Sequence, residues 1–190
     1  NSKLKESLIK RIAIFSSGKG SLTQAIITSL DNSKVLVSCI VTNNPNAGVV
    51  EVAKQNNIRL IVTDSEMNID RQLKLLSIDL IVLAGFLKKI TNNITKKFKI
   101  INIHPALLPK FGGKGMYGIN VHKKVIEDKE MFSGMTIHWV NDEYDEGKII
   151  YQSQIPIYRN WNEYDLEKEI KKLEVKWYPE IIKQVIYGKR

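Results

Sequence analysis

The sequence predicts a single α/β domain with a doubly wound, mostly parallel sheet that also carries an antiparallel portion. Strand-like and helix-like segments alternate from residue 11 to residue 103. The strand-like segments are continuous apolar runs, which is typical of parallel strands covered by helices on both faces. Two runs of alternating polar and apolar residues follow in the second half, and they predict an antiparallel pair.

Apolar spacing locates the elements of the first half in chain order. Runs rich in β-branched residues predict strands at 11–16, 34–41, 59–62, 79–84 and 99–103. Residues at helical spacing predict helices at 22–30, 49–56, 65–76 and 91–98, with Ser65 as the N-cap of the third. Because the carboxyl ends of parallel strands share one edge of a sheet, we expect ligands at that edge.

The second half has a different pattern. A glycine-rich segment at 109–118 predicts a long loop, which is a candidate mobile lid. The remaining elements are predicted as a helix at 120–127, strands at 132–140 and 148–157 around an acidic loop at 141–147, and a long helix at 163–187. We expect an interruption of that helix near Pro179, because proline lacks the amide hydrogen. The expected domain covers 1–190, with a frayed start at 1–10 and halves at 11–103 and 104–190.

Composition is that of an ordinary globular domain. The 190 residues are 43 % hydrophobic and 26 % charged, enough for one substantial core. No apolar run is long enough to cross a bilayer, and the N-terminal residues lack the apolar segment of a signal peptide. The single cysteine, Cys39, has no partner in the chain. These features predict a cytoplasmic protein without disulfides and without a membrane partner.

The net charge of +9 leaves three interpretations: nucleic-acid binding, an anionic small substrate, or a lysine-rich composition with no target. The lysines are spread along the chain, and no basic stripe is interleaved with aromatic residues. We therefore expect no nucleic-acid partner. A positive field would still attract an anionic small substrate.

The loop Gly18-Lys19-Gly20-Ser21 ends the first predicted strand and begins the first predicted helix. Exposed amides at a helix N-terminus suit a phosphate group. The loop matches neither the dinucleotide fingerprint, whose third glycine position is Thr23 here, nor a P-loop. The alternative is a tight turn that binds nothing.

The fifth predicted strand presents an amide and an imidazole, Asn102 and His104, just before Pro105. Residues i and i+2 of a strand project to the same side, and the proline favours an extended conformation at His104. Both side chains are therefore expected to enter one space. The alternative is a structural histidine at a strand end.

Asp145 supplies a third group from the acidic loop, two residues before Gly147. An aspartate beside His104 is expected to raise the pKa of the imidazole and to fix its orientation. Asn102 would then donate to a developing oxyanion. Since the chain shows no activated nucleophile, this set favours acyl-type transfer between two bound substrates. The alternative is a solvated acidic turn.

The histidines do not predict a metal site. His104, His122 and His138 lack the spacing of metal ligands, and one cysteine offers no ligand cluster. His138 precedes Trp139 in a predicted strand, and we interpret it as a structural or supporting residue.

At these residues the chain resembles the folate-dependent formyltransferase family. Asn-x-His-Pro-x-Leu-Leu-Pro at 102–109, followed by Asp-x-Gly at 145–147, is highly specific for that superfamily. Ser-Gly-Lys-Gly-Ser at 17–21 and Val-Leu-Ala-Gly-Phe at 82–86 match it as well. The similarity runs from Arg11 to about Gly188, and the match to the members that act in purine synthesis is close.

The resemblance implies a seven-stranded formyltransferase fold with a Rossmann-like N-terminal half. It implies transfer of a formyl group from 10-formyltetrahydrofolate, a co-substrate, to the amine of a phosphoribosylglycinamide, with no metal. The family's catalytic asparagine, histidine and aspartate correspond to Asn102, His104 and Asp145. The oligomeric state, monomer or homodimer, stays open.

The resemblance also implies binding residues. The acceptor loop corresponds to Gly20, Ser21 and Leu22, and a carboxylate ahead of a Tyr-Pro pair corresponds to Glu174. Lys19 and Leu22 stand where the family has asparagines, so a side-chain contact at Leu22 is lost and Lys19 adds charge. The alternative for Glu174 is a solvated helix face.

The folate-contacting segment corresponds to Leu87, Lys88, Lys89 and Ile90, together with Asn102. Family members often carry an apolar residue at the position of Lys89. A basic folate contact that some members have after the third strand has no assigned counterpart here.

Other functions remain as alternatives. Methionyl-tRNA formyltransferase adds a C-terminal RNA-binding domain and formyltetrahydrofolate hydrolase adds an N-terminal regulatory domain, and the length of this chain favours neither. A non-catalytic phosphosugar- or nucleotide-binding module would bind phosphate at Gly18–Ser21 without turnover.

Overall fold

The computed structural model describes residues 8–63, 69–141 and 145–190. The strands are β1 (Lys10–Phe15), β2 (Val35–Thr42), β3 (Leu60–Val62), β4 (Leu80–Leu83), β5 (Ile100–His104), β6 (Phe132–Trp139) and β7 (Ile149–Pro156). The helices are α1 (Ser21–Ser29), α2 (Val49–Gln55), α3 (Ile69–Leu75), α4 (Asn92–Thr95), α5 (Ile119–Glu127) and α6 (Glu163–Ile186).

The strands form one seven-stranded sheet in the order β3-β2-β1-β4-β5-β6-β7. The pairs among β1 to β5 are parallel, whereas β6 is antiparallel to β5 and β7 is antiparallel to β6. The predicted fold class, a doubly wound α/β domain with a mixed sheet, is confirmed. The sheet direction changes at β6, next to the strand that carries the predicted asparagine and histidine.

Both faces of the sheet are buried, which explains the continuous apolar strands. In β1, Ile12 and Ile14 join one core cluster while Ala13 and Phe15 join the other. Helix α6 packs on the first cluster through Ile170, and α3 packs on the second through Leu73. Successive residues of such a strand point to opposite faces, so every position must be apolar.

Helix α6 runs without interruption through Pro179, so the expected break there is wrong. A proline removes one helical hydrogen bond, but the flanking turns are held by buried side chains such as Tyr178, Ile181 and Ile182. Helix α4 is shorter than the predicted 91–98, ending at Thr95. The Ser65 cap, the start of the chain and positions 142–144 lie outside the described residues.

Hydrogen bonds tie together the loops at the carboxyl edge of the sheet. The Ser17 amide donates to the Gly85 carbonyl at 3.0 Å, and the Leu87 amide donates to Ser17 Oγ at 3.0 Å. The loops after β1 and β4 are therefore fixed side by side. Among the described residues, no helix has the length and apolar character needed to cross a membrane.

Candidate active site

Strand β5 delivers Asn102 and His104 into one space, as predicted. Both line a cavity of about 370 Å³, called here the central cavity, together with Asp145 and Glu174. Residues from different parts of the chain therefore converge at the carboxyl edge of the sheet. Residues 113–118 of the glycine-rich loop also line this cavity.

His104 is almost fully buried, with 3 % of its surface exposed. Its Nε2 lies 2.7 Å from the Phe111 carbonyl oxygen, so Nε2 carries a hydrogen and donates. Its Nδ1 lies 3.6 Å from Asp145 Oδ2. The imidazole is thus held between a backbone acceptor and a carboxylate, an orientation that leaves Nδ1 as the basic nitrogen.

The predicted increase in the pKa of His104 is wrong. Burial lowers the pKa, and this effect outweighs the opposing influence of Asp145 and of the Phe111 carbonyl. Loss of hydration disfavours the charged imidazolium, and a carboxylate beyond hydrogen-bonding distance compensates only in part. His104 is therefore biased toward the neutral form.

Asp145 is held in place on several sides, which contradicts the solvated-turn interpretation. The carboxylate is 11 % exposed, and its Oδ2 accepts a hydrogen bond from the Gly113 amide at 3.0 Å. Burial acts to raise its pKa, but the neighbouring His104 imidazole and the Gly113 amide hold that pKa below the ordinary value. Asp145 is therefore biased toward the ionised form.

The glycine of the Asp-x-Gly motif permits this placement. A Cβ atom at Gly147 would lie 1.5 Å from the Trp139 carbonyl oxygen, so only glycine lets the backbone at position 147 pack against the end of β6. Asp145 itself has a positive φ of 54°. Aspartate tolerates this left-handed conformation better than most side chains. Close packing thus sets the position of the carboxylate.

The loop after β1 lines a second cavity of about 310 Å³, called here the loop cavity. Its lining includes Gly18, Lys19, Gly20, Ser21, Leu22 and Thr23. Gly20 has a φ of 85°, and a Cβ there would lie 2.8 Å from Val49 Cα. No side chain caps the N-terminus of α1 and its first turn holds no acidic residue, so the positive end of its dipole is open to this cavity.

Glu174 lines both the central cavity and the loop cavity, as do Gly85 and Lys171. The two cavities therefore adjoin, and the half-buried Glu174 is not on a solvated helix face. Burial raises the pKa of Glu174 to about 7, with Lys171 acting in the opposite direction. The carboxylate is thus partly protonated near neutral pH.

A third, smaller cavity of about 70 Å³, called here the side pocket, is also lined by Asn102. Lys88, Lys89 and Ile90 line it, as do Asp145 and His138. Leu87 lines the central cavity and is 59 % exposed. The predicted folate segment therefore adjoins the predicted catalytic group, and Asn102 and Asp145 border two cavities each.

Sequence reasoning missed the residues that hold the loop after β5. Buried Thr136 Oγ1 donates to the Ala106 carbonyl at 2.7 Å and accepts from the Leu108 amide at 3.0 Å. Gln152 Nε2 donates to both Thr136 Oγ1 and the Leu108 carbonyl, at 2.9 Å each. A threonine in a strand is too ordinary to signal such a role.

Tyr178 is a second missed residue. Its buried hydroxyl donates to the Leu83 carbonyl at 2.7 Å, which ties α6 to the end of β4. This bond lies one helical turn beyond Glu174 and fixes that carboxylate relative to the sheet. The Tyr-Pro motif gave the position of the residue but not this contact.

Two other polar groups have no assigned chemistry. Burial raises the pKa of the Cys39 thiol to about 12, which makes it a poor nucleophile. Burial lowers the pKa of His122 to about 4, and this side chain also lines the central cavity. Across the described residues, no group of three or more histidine, cysteine, aspartate and glutamate side chains is arranged to hold a metal ion.

Comparison with known proteins identifies the family. The formyl transferase family model matches residues 10–182. The chain belongs to the formyl transferase family. A formyl transferase of known structure, phosphoribosylglycinamide formyltransferase from Bacillus halodurans, superposes with a TM-score of 0.86 at 31 % identity, covering 95 % of this chain and 97 % of that one.

Curated relatives carry the same name. The Bacillus subtilis phosphoribosylglycinamide formyltransferase is 35 % identical over 94 % of this chain and 95 % of its own length. The chloroplastic enzyme of that name from Arabidopsis thaliana is 38 % identical over 91 % of this chain. The chain spans 64 % of that plant relative's length and 60 % of the one from Vigna unguiculata.

Proposed function

We propose that the chain transfers the formyl group of 10-formyltetrahydrofolate to the amine of N1-(5-phosphoribosyl)glycinamide. The products are the N-formyl compound and tetrahydrofolate, in purine synthesis. The observation that carries the proposal is the position of Asn102, His104 and Asp145 in a cavity that shares lining residues with both the loop cavity and the side pocket. The names of the relatives support the choice of acceptor.

The acceptor is proposed to occupy the loop cavity and to reach into the central cavity. Its phosphate would bind at the uncapped N-terminus of α1, near Gly20, Ser21 and Leu22, where the helix dipole and Lys19 favour an anion. Glu174 lies where the two cavities join and would accept a hydrogen bond from the glycinamide end. This arrangement directs the amine toward Asn102 and His104.

The donor is proposed to lie along residues 87–90. The side pocket places Lys88, Lys89 and Ile90 beside Asn102, and Leu87 borders the central cavity. The formyl group would then meet the amine between two bound substrates. Such alignment of two reactants is itself a large source of rate acceleration.

The proposed chemistry uses the neutral amine as the nucleophile. It attacks the formyl carbon, a carbon–nitrogen bond forms, and the formyl oxygen becomes an oxyanion that accepts a hydrogen bond from the Asn102 amide. Because Nε2 of His104 donates to Phe111, Nδ1 takes the proton that the amine loses. The charge of Asp145 stabilises the resulting imidazolium. The new Nδ1–H of His104 then donates a hydrogen bond to the oxyanion.

Collapse of the intermediate completes the transfer. The bond between the formyl carbon and N10 of the folate breaks, and His104 returns its proton to that nitrogen. The neutral bias of His104 suits this sequence, because the imidazole must first accept a proton. The protein forms no covalent bond to the formyl group.

The deciding experiment mixes the protein with 10-formyltetrahydrofolate and phosphoribosylglycinamide and follows tetrahydrofolate formation by absorbance. Release that requires both substrates is the expected result. Release without the acceptor would indicate a hydrolase, and acceptor binding without release would indicate a phosphosugar-binding module.

The expected cytoplasmic location and the choice between monomer and homodimer stay predictions, and two plant relatives are named chloroplastic.

A further inference from the structure

His138 lies beside Asn102 in the sheet, although the proposed chemistry gives it no part. The two residues are directly paired across β5 and β6, and His138 is 2 % exposed. The pairing of β6 with β7 shifts register between Ile137 and His138. Such irregularities often re-aim a side chain next to a site.

Two contacts determine which nitrogen of His138 carries a hydrogen. Nδ1 lies 3.0 Å from the Trp139 carbonyl oxygen, which can only accept, so Nδ1 donates. Nε2 lies 3.3 Å from Asn102 Nδ2, which can only donate, so Nε2 accepts. One neutral tautomer satisfies both contacts. A flipped Asn102 amide would instead set its oxygen against the lone pair of Nε2.

We propose that His138 is a positioning residue that fixes the orientation of the Asn102 amide. One N–H of Asn102 Nδ2 is held by His138 Nε2, and the second N–H is left for the formyl oxyanion. This inference rests on the proposed function for its catalytic consequence, but the hydrogen-bonding pattern itself does not. The Trp139 carbonyl sets the pattern by holding the hydrogen on Nδ1.

The same tautomer keeps Asp145 available to His104. Asp145 Oδ1 lies 3.6 Å from His138 Nε2, and Asp145 Oδ2 lies 3.6 Å from His104 Nδ1. A hydrogen on His138 Nε2 would draw the carboxylate away from His104. Because that nitrogen is an acceptor, the carboxylate is left to stabilise the imidazolium that forms on His104.

A spectroscopic test does not depend on turnover. Long-range ¹H–¹⁵N NMR of the imidazoles near neutral pH separates the two tautomers and the imidazolium. We expect His138 to be protonated at Nδ1 and bare at Nε2. A hydrogen on Nε2, in either the other tautomer or the imidazolium, would overturn the inference even if the protein is an active transferase.

A pair of substitutions tests the catalytic consequence. In His138→Asn the amide can still donate to Trp139 but offers Asn102 no acceptor, whereas in His138→Gln the longer amide places an oxygen near the position of Nε2. We expect kcat to fall about 10- to 100-fold in His138→Asn, less than loss of an oxyanion donor costs, with both KM values nearly unchanged. His138→Gln should recover most of kcat. Equal losses in both variants, or a loss confined to KM, would count against the proposal.

A double-mutant cycle separates positioning from a general structural role. In an Asn102→Ala background, His138→Asn should lower kcat less than about twofold, because the amide it positions is gone. Independent, multiplying losses would overturn the inference. If the wild-type protein shows no formyl transfer, the proposed function fails, while the NMR result still decides the tautomer of His138.

Discussion

At the residue scale, His104 shows how burial competes with a neighbouring charge. The carboxylate of Asp145 lies 3.6 Å from Nδ1, beyond a normal hydrogen bond, while the ring is nearly fully buried. Burial prevails and lowers the pKa. In the proposed reaction Asp145 therefore acts mainly after proton transfer, when His104 carries a positive charge.

The first prediction concerns Asp145→Asn. The substitution keeps the size of the side chain and an acceptor for the Gly113 amide but removes the charge that stabilises the imidazolium. We expect kcat to fall about 10²- to 10⁴-fold, with thermal stability little changed. Steady-state kinetics and thermal denaturation measure the two effects. Glu146→Gln changes an exposed neighbour and is the matched control, which should retain wild-type kcat. An equal fall in kcat in this control would contradict a specific role for Asp145.

The second prediction concerns the pH dependence of stability at Glu174. Its pKa is raised from the ordinary 4.5 to about 7, so the folded state binds this proton more tightly than the unfolded state does. The stabilisation is complete below pH 4.5 and is lost as pH rises through about 7. Glu174→Gln should therefore raise the free energy of unfolding by about 1 to 2 kcal/mol over the wild type at alkaline pH. At acidic pH the two proteins should be equally stable.

Urea denaturation at several pH values measures this difference. The control is Glu180→Gln on the exposed side of the same helix, where the pH profile should match the wild type. Glu174→Gln should also raise the KM for the acceptor about tenfold while leaving kcat nearly unchanged, since it removes binding shared by ground and transition states. A stability profile parallel to that of the wild type would contradict the burial of this carboxylate.

At the element scale, the fit between neighbouring elements sets where the loops lie. Helix α6 passes through Pro179 because buried residues on both sides of it pack against the sheet. Thr136 on β6 and Gln152 on β7 hold the loop that follows β5. The position of Phe111, which fixes His104, therefore depends on strands that come later in the chain.

The third prediction is Gly147→Ala. The added Cβ would lie 1.5 Å from the Trp139 carbonyl oxygen, so either the backbone at position 147 or the end of β6 must move. We expect a loss of about 2 to 3 kcal/mol in stability and a fall in kcat greater than in KM, because Asp145 is displaced from His104. Chemical denaturation and steady-state kinetics measure both.

Gly18→Ala is the matched control for stability. A Cβ at Gly18 meets nothing within 4 Å, so that variant should unfold close to the wild-type midpoint. If Gly147→Ala were as stable as Gly18→Ala, the close packing of Gly147 against Trp139 would be contradicted.

At the scale of the whole molecule, the chain carries a net charge of +9, and its cavities are proposed to hold an anionic acceptor. A field of this sign speeds the approach of a phosphate ester, and salt screens it.

The fourth prediction is that kcat/KM for the acceptor falls about fivefold as ionic strength rises from about 0.02 to 0.2 M, with kcat at saturation unchanged. Kinetics across a salt series measure this effect, and Lys19→Gln should reduce the salt dependence. A flat profile would argue against steering by charge.

The sequence by itself determined the fold class and the edge of the sheet at which the site lies. Continuous apolar strands such as 79–84 require burial on both faces, and parallel strands bring the loops after β1, β4 and β5 to one edge. Glycine patterns also marked the loops after β1 and β5 correctly, whereas Pro179 does not break α6. These properties depend on local spacing, which a sequence shows directly.

Only the tertiary structure decided the burial and the hydrogen bonding of the candidate site residues. The direction of the His104 pKa, the position of Glu174 between two cavities and the tautomer of His138 depend on burial and on contacts between distant parts of the chain. Two contacts depend on close packing between distant residues: the hydrogen bond from His104 to the Phe111 carbonyl, and the close approach of Gly147 to Trp139. Residue spacing carries no information about such distances, because they arise from the whole set of packed elements.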